Sequence, residues 1–382
     1  MVNWKLQPAE AEESTALDGV HPVVVKLLKQ RGVTEEAVKN FLTPSYDRDI
    51  HDPFLFSQME KAVARIGVAK ERGERIVIFG DYDADGVTSS AVLKRALDDL
   101  GAISEVYIPS KELEGYGMNV AAVDQLATTD IKLIITVDCG ITNVEEVERA
   151  NSHGLDVIIT DHHHVPKKVP AAYAIINPKV EGCGYPFSSL AGVGVAFKLA
   201  QALYAKFMPE QAQQLKWLLD FVAIGTIADC VPLIDENRTI AKYGLIVLGK
   251  TRSVGLQEMF QVGRIAINEE QLPTSHQVSF QIAPRLNAAG RMGHANIAYN
   301  LIAGVNRVEA RDHALDLEAK NQERQKVTER VVEEVRVLVR NAFKDKPFIF
   351  AVGEHFPSGI LGLAAGRVAD EFGKPTAIFQ KG

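Results

Sequence analysis

The sequence predicts an α/β fold: a parallel-sheet domain covered by helices and joined through one long helix to a smaller α/β domain. Three observations lead there. Between residues 60 and 180 short apolar runs alternate with helical stretches, and such alternation requires right-handed crossovers that place helices on both faces of a parallel sheet. From 305 to 343 the chain is rich in Glu, Arg and Val, with Val327, Val331 and Val335 at i, i+4 and i+8, the pattern of an amphipathic helix with one charged face in water. Lys346-Pro347 ends that helix, and Phe348-Ile-Phe-Ala-Val352 opens a new strand.

Residues 1–60 read as a helical extension, with helices expected at 22–31 and after Thr34, where Thr34-Glu-Glu-Ala resembles a helix start. Pro44, Pro53 and the apolar Phe54-Leu55-Phe56 pin this segment to something larger, so packing rather than chemistry is its expected role. Strands are expected at 75–79, 106–108, 133–137, 157–159 and 174–176, each a short apolar run suited to a doubly covered sheet. Helices are expected between them at 88–100, 119–127 and 143–153. Asn119 should cap the second, and Asn143, followed by Glu145 and Glu146, the third. Residues 188–300 read as mainly helical, including 189–207 and 211–226. The expected division is an extension over 1–60, the main domain over 61–304, the connector over 305–345 and the start of the smaller domain over 346–382.

Composition limits the function. Hydrophobic residues form 46% and charged residues 24% of the 382, the balance of a chain that folds around ordinary cores. No apolar run reaches the roughly 18 residues that cross a bilayer. The first eight residues lack the basic-then-apolar order of a secretory signal. Cys139, Cys183 and Cys230 are scattered, without the spacing of a disulfide framework or a zinc site, so a reducing cytoplasm is the expected compartment. The net charge of −7 argues against a broad basic face gripping duplex DNA, yet is compatible with a narrow basic channel.

The richest chemistry lies in Gly80-Asp-Tyr-Asp-Ala-Asp-Gly86. Asp81, Asp83 and Asp85 follow the first predicted strand, at the end where open parallel sheets bind ligands. Unit charges ~4 Å apart repel by about 1 kcal/mol in water and about 4 kcal/mol at an effective dielectric near 20, a cost that a bound cation offsets. Three further segments carry similar groups. Asp138 lies one residue past the strand at 133–137, Asp161-His162-His163-His164 follows the run at 157–160, and Asp229 lies in Gly225-Thr-Ile-Ala-Asp-Cys-Val231. Singly, each reads as a cap, a turn former or a satisfied carboxylate. Jointly, three of the groups meet at one end of three parallel strands. Mostly carboxylate oxygen with one or two imidazoles favours Mn²⁺ or Mg²⁺ over zinc, copper or iron–sulfur centres. Five or six such groups exceed what one ion takes when water and substrate also bind. Two ions follow, with Asp138 as the candidate bridge, and metal-assisted hydrolysis of a phosphate ester as the reaction class. No G-x-G-x-x-G follows the first strand, which argues against a dinucleotide-binding Rossmann domain.

Asp-x-Asp-x-Asp, Val-Asp-Cys-Gly, Asp161-His162-His163 and Thr-Ile-Ala-Asp229 together resemble the DHH phosphoesterase superfamily. Gly80-Asp-Tyr-Asp-Ala-Asp-Gly-Val-Thr-Ser89, Leu190-Ala-Gly-Val-Gly-Val-Ala-Phe197, Gly225-Thr-Ile-Ala-Asp-Cys-Val-Pro-Leu233 and Pro284-Arg-Leu-Asn-Ala-Ala-Gly-Arg291 resemble, within it, the RecJ family of bacterial single-strand-specific 5′→3′ DNA exonucleases. The likeness runs from about residue 60 to the end.

This resemblance implies a DHH catalytic domain, a DHH-associated smaller domain and two Mn²⁺ or Mg²⁺ ions on Asp81, Asp83, Asp85, Asp138, His162 and Asp229, with Asp81 binding either directly or through a neighbour. Asp161 would orient an imidazole, and His163 would face the scissile phosphate, stabilising its charge or protonating the leaving 3′ oxygen. Arg285, Asn287 and Arg291, expected in a loop, would contact substrate phosphates. Lys111 stands where many relatives carry Arg, keeping the charge without the fork. Tyr116 would stack on a base or serve as a structural tyrosine, and His355 and Arg367 would approach the cleft from the smaller domain. The implied function is hydrolysis of single-stranded DNA to 5′-mononucleotides in DNA repair and recombination, with a cleft too narrow for a duplex. Single-strand-binding protein and a helicase are the expected partners. Rival readings are a DHH phosphodiesterase acting on short oligoribonucleotides or cyclic dinucleotides, and an inactive DHH-like replication scaffold. The chain stops at Phe379-Gln-Lys-Gly382, before the glycine-rich strings and OB-fold of the family, so a fragment or an unusually short member is expected.

Overall fold

Five short strands rich in Ile and Val lie side by side: β1 Arg75–Gly80, β2 Ser104–Tyr107, β3 Ile131–Val137, β4 Asp156–Thr160 and β5 Ala174–Ile176. All neighbouring pairs are parallel, in the order β2-β1-β3-β4-β5. The computed structural model describes residues 19–110, 114–343 and 345–381. After β1 the chain adds β2 on one side, then crosses back to build β3, β4 and β5 on the other. The crevice beside β1 and β3 is therefore the switch point at which open sheets bind ligands.

Before the sheet come helices α1 (Pro22–Gln30), α2 (Glu35–Leu42), α3 (Tyr46–Asp49) and α4 (Met59–Arg72). Within and after it come α5 (Ala84–Leu100), α6 (Val120–Ala127), α7 (Val144–Ser152) and α8 (Gly192–Phe207). Successive strand residues point to opposite faces, and this parity divides the interior. Ile76, Ile78, Leu133, Ile135 and Ile158 join Val92, Leu93, Leu97, Phe197 and Leu203 of α5 and α8 in one core. Val77, Phe79, Ile134, Val157 and Ile159 join Val123, Leu126 and Val147 of α6 and α7 in a second. Strands covered on both sides show unbroken apolar runs, which is why β1, β3, β4 and β5 were visible in the sequence; the half-exposed β2 lies at Ser104–Tyr107 rather than at the expected 106–108.

Helices α9 (Leu219–Ala228), α10 (Asp235–Gly249), α11 (Val254–Val262), α12 (Ser275–Gln277), α13 (Ala283–Arg291) and α14 (Asn296–Ala303) follow. The long α15 (Arg307–Leu338) leads through a wide π turn at Val339–Phe343 to β6 (Ile349–Gly353), α16 (Leu361–Phe372) and β7 (Thr376–Gln380), where β6 and β7 pair in parallel. Ala310, Ala314 and Leu317 of α15 belong to the first core. Val331, Val332, Val335 and Val339 instead join Ile349, Ile360, Ala364, Val368 and Ile378 in a third core. Among the described residues no helix is long and apolar enough to cross a membrane.

Three local expectations need correction. The single helix expected at 211–226 is split: Pro209–Leu218 is 3₁₀ and α9 begins at Leu219. The split segment buries only Leu215, so it has no apolar face to hold a regular α-helix. Asn143 makes no side-chain cap on α7; its amide instead bridges to Met118, accepting from its N–H at 3.3 Å and donating to its carbonyl at 2.9 Å. Residues 284–291 form α13 rather than a loop. Pro284 is harmless in the first turn, and the small Ala288, Ala289 and Gly290 let that helix pack closely. Thr34 and Asn119 do cap, accepting from Ala37 N–H at 3.3 Å and Ala122 N–H at 2.8 Å.

Candidate metal centre at the sheet edge

Strand register builds the site. Gly80 pairs with Val137, Val137 with Thr160, and Thr160 with Ile176. The residues that come next, Asp81, Asp138, Asp161 and Asn177, therefore line up along one edge, and all four are buried. Asp138 turns out of β3 with φ +60°, a left-handed conformation that Asp tolerates better than most residues. Its N–H stays on the ladder, donating to Thr160 O at 3.0 Å.

The Asp-x-Asp-x-Asp segment is fixed by helix ends. Asp83 caps α5, its Oδ1 accepting from Asp85 N–H at 2.8 Å and Gly86 N–H at 3.1 Å. Asp85, in the first turn of α5, reaches the N-terminus of α8, where Oδ2 accepts from Gly192 N–H at 2.7 Å and Oδ1 from Val193 N–H at 2.9 Å. The positive end of α8 suits that carboxylate. Gly192 is required here because a Cβ would overlap the Asp138 carboxylate. Asp229, read from the sequence as lying within a helix, sits at the C-cap of α9, partly exposed.

His162 Nε2 is the hub, 3.2 Å from Asp138 Oδ1, 3.7 Å from Asp229 Oδ2 and 4.0 Å from Asp85 Oδ2. Three sets each bring their ligand atoms within 4.8 Å of one another: Asp81–Asp83–Asp138, Asp138–His162–His163 and Asp85–His162–Asp229. Asp138 and His162 are each common to two sets, and Asp138 is the carboxylate that two sets share. Burial, with the charges of Asp229 and Asp83, pushes the Asp85 carboxyl well up, against the two α8 N–H bonds. Burial and the neighbouring carboxylates Asp85, Asp83, Asp81 and Asp161 do the same to Asp138. Asp229 is raised to about 6 by burial and Asp83, while burial and the charge of His163 push His162 down to about 4. A neutral imidazole among carboxylates that cannot comfortably ionise together is a donor set completed by hard divalent cations.

Asp161 is tied by four bonds. Oδ1 accepts from His162 N–H at 2.7 Å and His163 N–H at 3.1 Å and meets His163 Nδ1 at 2.7 Å, while Oδ2 accepts from Ile141 N–H at 2.9 Å. Burial alone would raise this carboxyl, but the bond and charge of His163 and the backbone donors hold it below its usual range. His163 gains in return: the Asp161 bond raises its pKa against partial burial. Tyr116 presents its ring edge to His163 at 5.7 Å, and its hydroxyl donates to Asp138 O at 3.1 Å.

The expected substrate residues separate. Asn287 accepts from Ala84 N–H at 2.6 Å, which ties α13 to the Asp-x-Asp-x-Asp turn. Arg285 pairs with Glu318 at 2.7 Å and donates to Gln281 O at 2.6 Å, binding α13 to α15. Arg291 donates to Gly359 O at 2.9 Å, Arg367 pairs with Glu329 at 3.0 Å, and His355 is exposed in the turn after β6. Lys111 lies outside the described residues. Two site residues escaped the sequence reading. Asn177 donates to His163 O at 3.1 Å, and the charge of Lys179 bears on both His162 and Asp229. Asn177 directly follows a predicted strand, the same signal that marked Asp138.

Residues 75–226 match the DHH family, N-terminal domain. The chain is 41% identical over 381 residues to the single-stranded-DNA-specific exonuclease RecJ of Bacillus subtilis strain 168, covering 99% of this chain and 47% of that one. A crystal structure of exonuclease RecJ bound to manganese superposes with a TM-score of 0.74 at 33% identity, over 85% of this chain and 80% of that one. The RecJ of Thermus thermophilus in complex with Mn²⁺ superposes with a TM-score of 0.79 at 30% identity, over 94% and 50%. The chain thus spans about half the length of the first of these relatives. With its strand order, its four converging motifs and these likenesses in agreement, the chain belongs to the RecJ family of DHH phosphoesterases.

Proposed function

We propose that this chain carries the catalytic part of a metal-dependent 5′→3′ exonuclease that hydrolyses single-stranded DNA to 5′-mononucleotides, serving DNA repair and recombination in the cytoplasm. The observation that carries the reading is the pair of overlapping ligand sets sharing Asp138 at the sheet switch point. The manganese- and magnesium-bound RecJ structures support Mn²⁺ or Mg²⁺ as the ions. Held by Asp81, Asp83, Asp85, Asp138, His162 and Asp229, two such ions supply an activated water and neutralise charge on the phosphate.

The chain's own residues do the rest. Asp161 positions the partly exposed His163 and favours its protonated form, from which the ring faces the scissile phosphate and gives a proton to the leaving 3′ oxygen. Asn287 fixes the turn that carries Asp83 and Asp85. Arg291, beside that turn, binds substrate phosphate, whereas Arg285 acts mainly by fastening α13 to Glu318. Lys111 and His355 supply further positive charge for the substrate strand, and Tyr116, beside His163, stacks on a base. Single-strand-binding protein and a helicase are proposed as partners that deliver the strand.

The test is degradation of a 5′-labelled 40-mer of single-stranded DNA, the same sequence as a blunt duplex, and a set of dinucleotides, each with Mn²⁺. The expected outcome is mononucleotide release from the single strand alone. Cleavage confined to dinucleotides would transfer the site to small-substrate phosphodiesterases. No cleavage despite bound Mn²⁺ would favour a scaffold.

A further inference from the structure

A hollow of about 490 Å³ lies between the helical extension and α10, with Arg31, Arg48, Arg238 and Thr239 among its walls. None of the residues in the three ligand sets lines it. The volume suits a small organic ligand, for which pockets run from about 300 to 1,000 Å³.

Charge around the hollow is unevenly matched. Its two acids are Asp49 and Asp235. Asp49 is taken by Arg48, whose Nη2 donates to Oδ2 at 2.7 Å, and Asp235 meets His51 at 2.9 Å. Arg31 and Arg238 have no carboxylate partner among the described residues. Arg31, exposed, donates to Leu27 O at 3.2 Å, and Arg238, half-buried, donates to Phe41 O at 3.2 Å. The Arg238 guanidinium lies 4.5 Å from the centre of the Phe41 ring. That ring, with Val33, Ala37 and Phe187, gives the hollow an apolar wall.

Thr239 supplies a second, independent sign. It is 1% exposed, and its Oγ1 meets no hydrogen-bond partner among the described residues. A threonine inside a helix can turn its hydroxyl back to the carbonyl four residues earlier. Thr88 does so to Ala84 and Thr328 to Arg324, each at 2.7 Å. Thr239 does not, and a buried hydroxyl without a partner is costly. A ligand with a polar edge would supply the missing bond.

We propose that this hollow is a binding site for a nucleoside monophosphate, separate from the metal centre and independent of the exonuclease reading. Two guanidinium groups without carboxylates match a phosphate monoester, which carries about −1.5 to −2 charges at pH 7. Their forked donors fit its oxygens. Inorganic phosphate alone would leave the wall of Phe41 and Phe187 uncovered, and a wholly apolar ligand would strip water from two unpaired cations. A base against that wall, its polar edge toward the Thr239 hydroxyl, meets both demands.

Binding of AMP and dTMP is measured by calorimetry in EDTA for the wild-type chain, Arg31→Gln, Thr239→Val and Asp138→Ala. Adenosine and inorganic phosphate serve as part-ligands, and each protein is also melted alone. The proposal expects at least one nucleotide to bind the wild type more tightly than either part-ligand. Arg31→Gln should weaken it about tenfold or more, the scale of one charge-assisted hydrogen bond, and Thr239→Val about threefold or more. Asp138→Ala should bind it as the wild type does. Without nucleotide, Arg31→Gln should melt with the wild type, and Thr239→Val at the same temperature or above, because an unpaired buried hydroxyl is gone. Undiminished affinity in both Arg31→Gln and Thr239→Val would overturn the proposal, as would loss of binding in Asp138→Ala, which would put the nucleotide at the metal centre. Phosphate binding as tightly as either nucleotide would reduce the hollow to a simple anion site and overturn it too. So would a wild type that takes up none of the four probes.

Discussion

Asp138 leaves its strand through a left-handed backbone conformation, which costs a non-glycine residue on the order of 1 kcal/mol. The return is that its carboxylate meets two ligand sets at once while its N–H remains on the sheet ladder. Asp138 lies in two of the ligand sets, whereas His163 lies in one of them and is tied at the rim to Asp161. Asp138→Ala is expected to abolish Mn²⁺ binding and turnover together. His163→Ala should retain the metals and lose roughly 10²–10⁴ in kcat, the range for a lost general acid. Calorimetric Mn²⁺ titration alongside single-turnover kinetics separates the two; full Mn²⁺ binding in Asp138→Ala would remove it from the bridging position. Identities such as Asp81, Asp138 and His162 were legible because each follows an apolar run or repeats at short spacing. The Asp85 bonds to the start of α8 were not, since 107 residues separate Asp85 from Gly192.

Elements place these residues, and α9 shows how closely. Its first turn carries Asp220, fully buried, accepting from Thr251 Oγ1 at 2.6 Å and from Phe221 N–H at 2.7 Å. Burial outweighs these bonds and raises its pKa to about 6 from an ordinary 3.8. A raised carboxyl imposes no penalty below the unfolded pKa, and stability then falls as pH rises toward the folded value. Above pH ~6 the full penalty, about 3 kcal/mol for a shift of roughly two units, is present. Asp220→Asn should therefore gain stability relative to the wild type as pH rises from 4 to 7.5. Urea midpoints at both pH values check it; a difference independent of pH would mean that Asp220 titrates normally. At this scale the sequence placed the strands and most helices well. It misjudged 284–291 because Pro and Gly signal a loop locally, whereas packing of Gly290 against Tyr82 and the Asn287 bond to Ala84 favour a helix.

For the molecule as a whole, crowding buried carboxylates at one sheet edge makes the apo fold store repulsion that divalent ions remove. A ligand that binds only the folded state stabilises it by about 2.7 kcal/mol at 100 times its Kd. Treatment with EDTA should lower the melting temperature, and Mn²⁺ or Mg²⁺ should restore it in a concentration-dependent way, whereas Na⁺ at equal ionic strength should not. Calorimetric melting shows this directly, and a midpoint indifferent to Mn²⁺ would mean that the carboxylates do not bind it. The long α15 adds a second global feature. It contributes side chains to two separate cores, so a single helix joins them.

The sequence alone determined the parallel α/β architecture and the ion class, and it singled out acidic and imidazole groups that converge in the fold, because most of these are written in local periodicity and in which residue follows a strand. Tertiary structure decided what depends on register and on distant partners: that Asp81, Asp138, Asp161 and Asn177 share one row, that Arg285 serves Glu318, and that Arg31 and Arg238 line one hollow. Pattern repeats over a few residues can be read along a chain. Electrostatic neighbours brought together across 30 to 70 positions, such as Arg285 with Glu318 or Arg291 with Gly359, exist only once the chain has closed on itself.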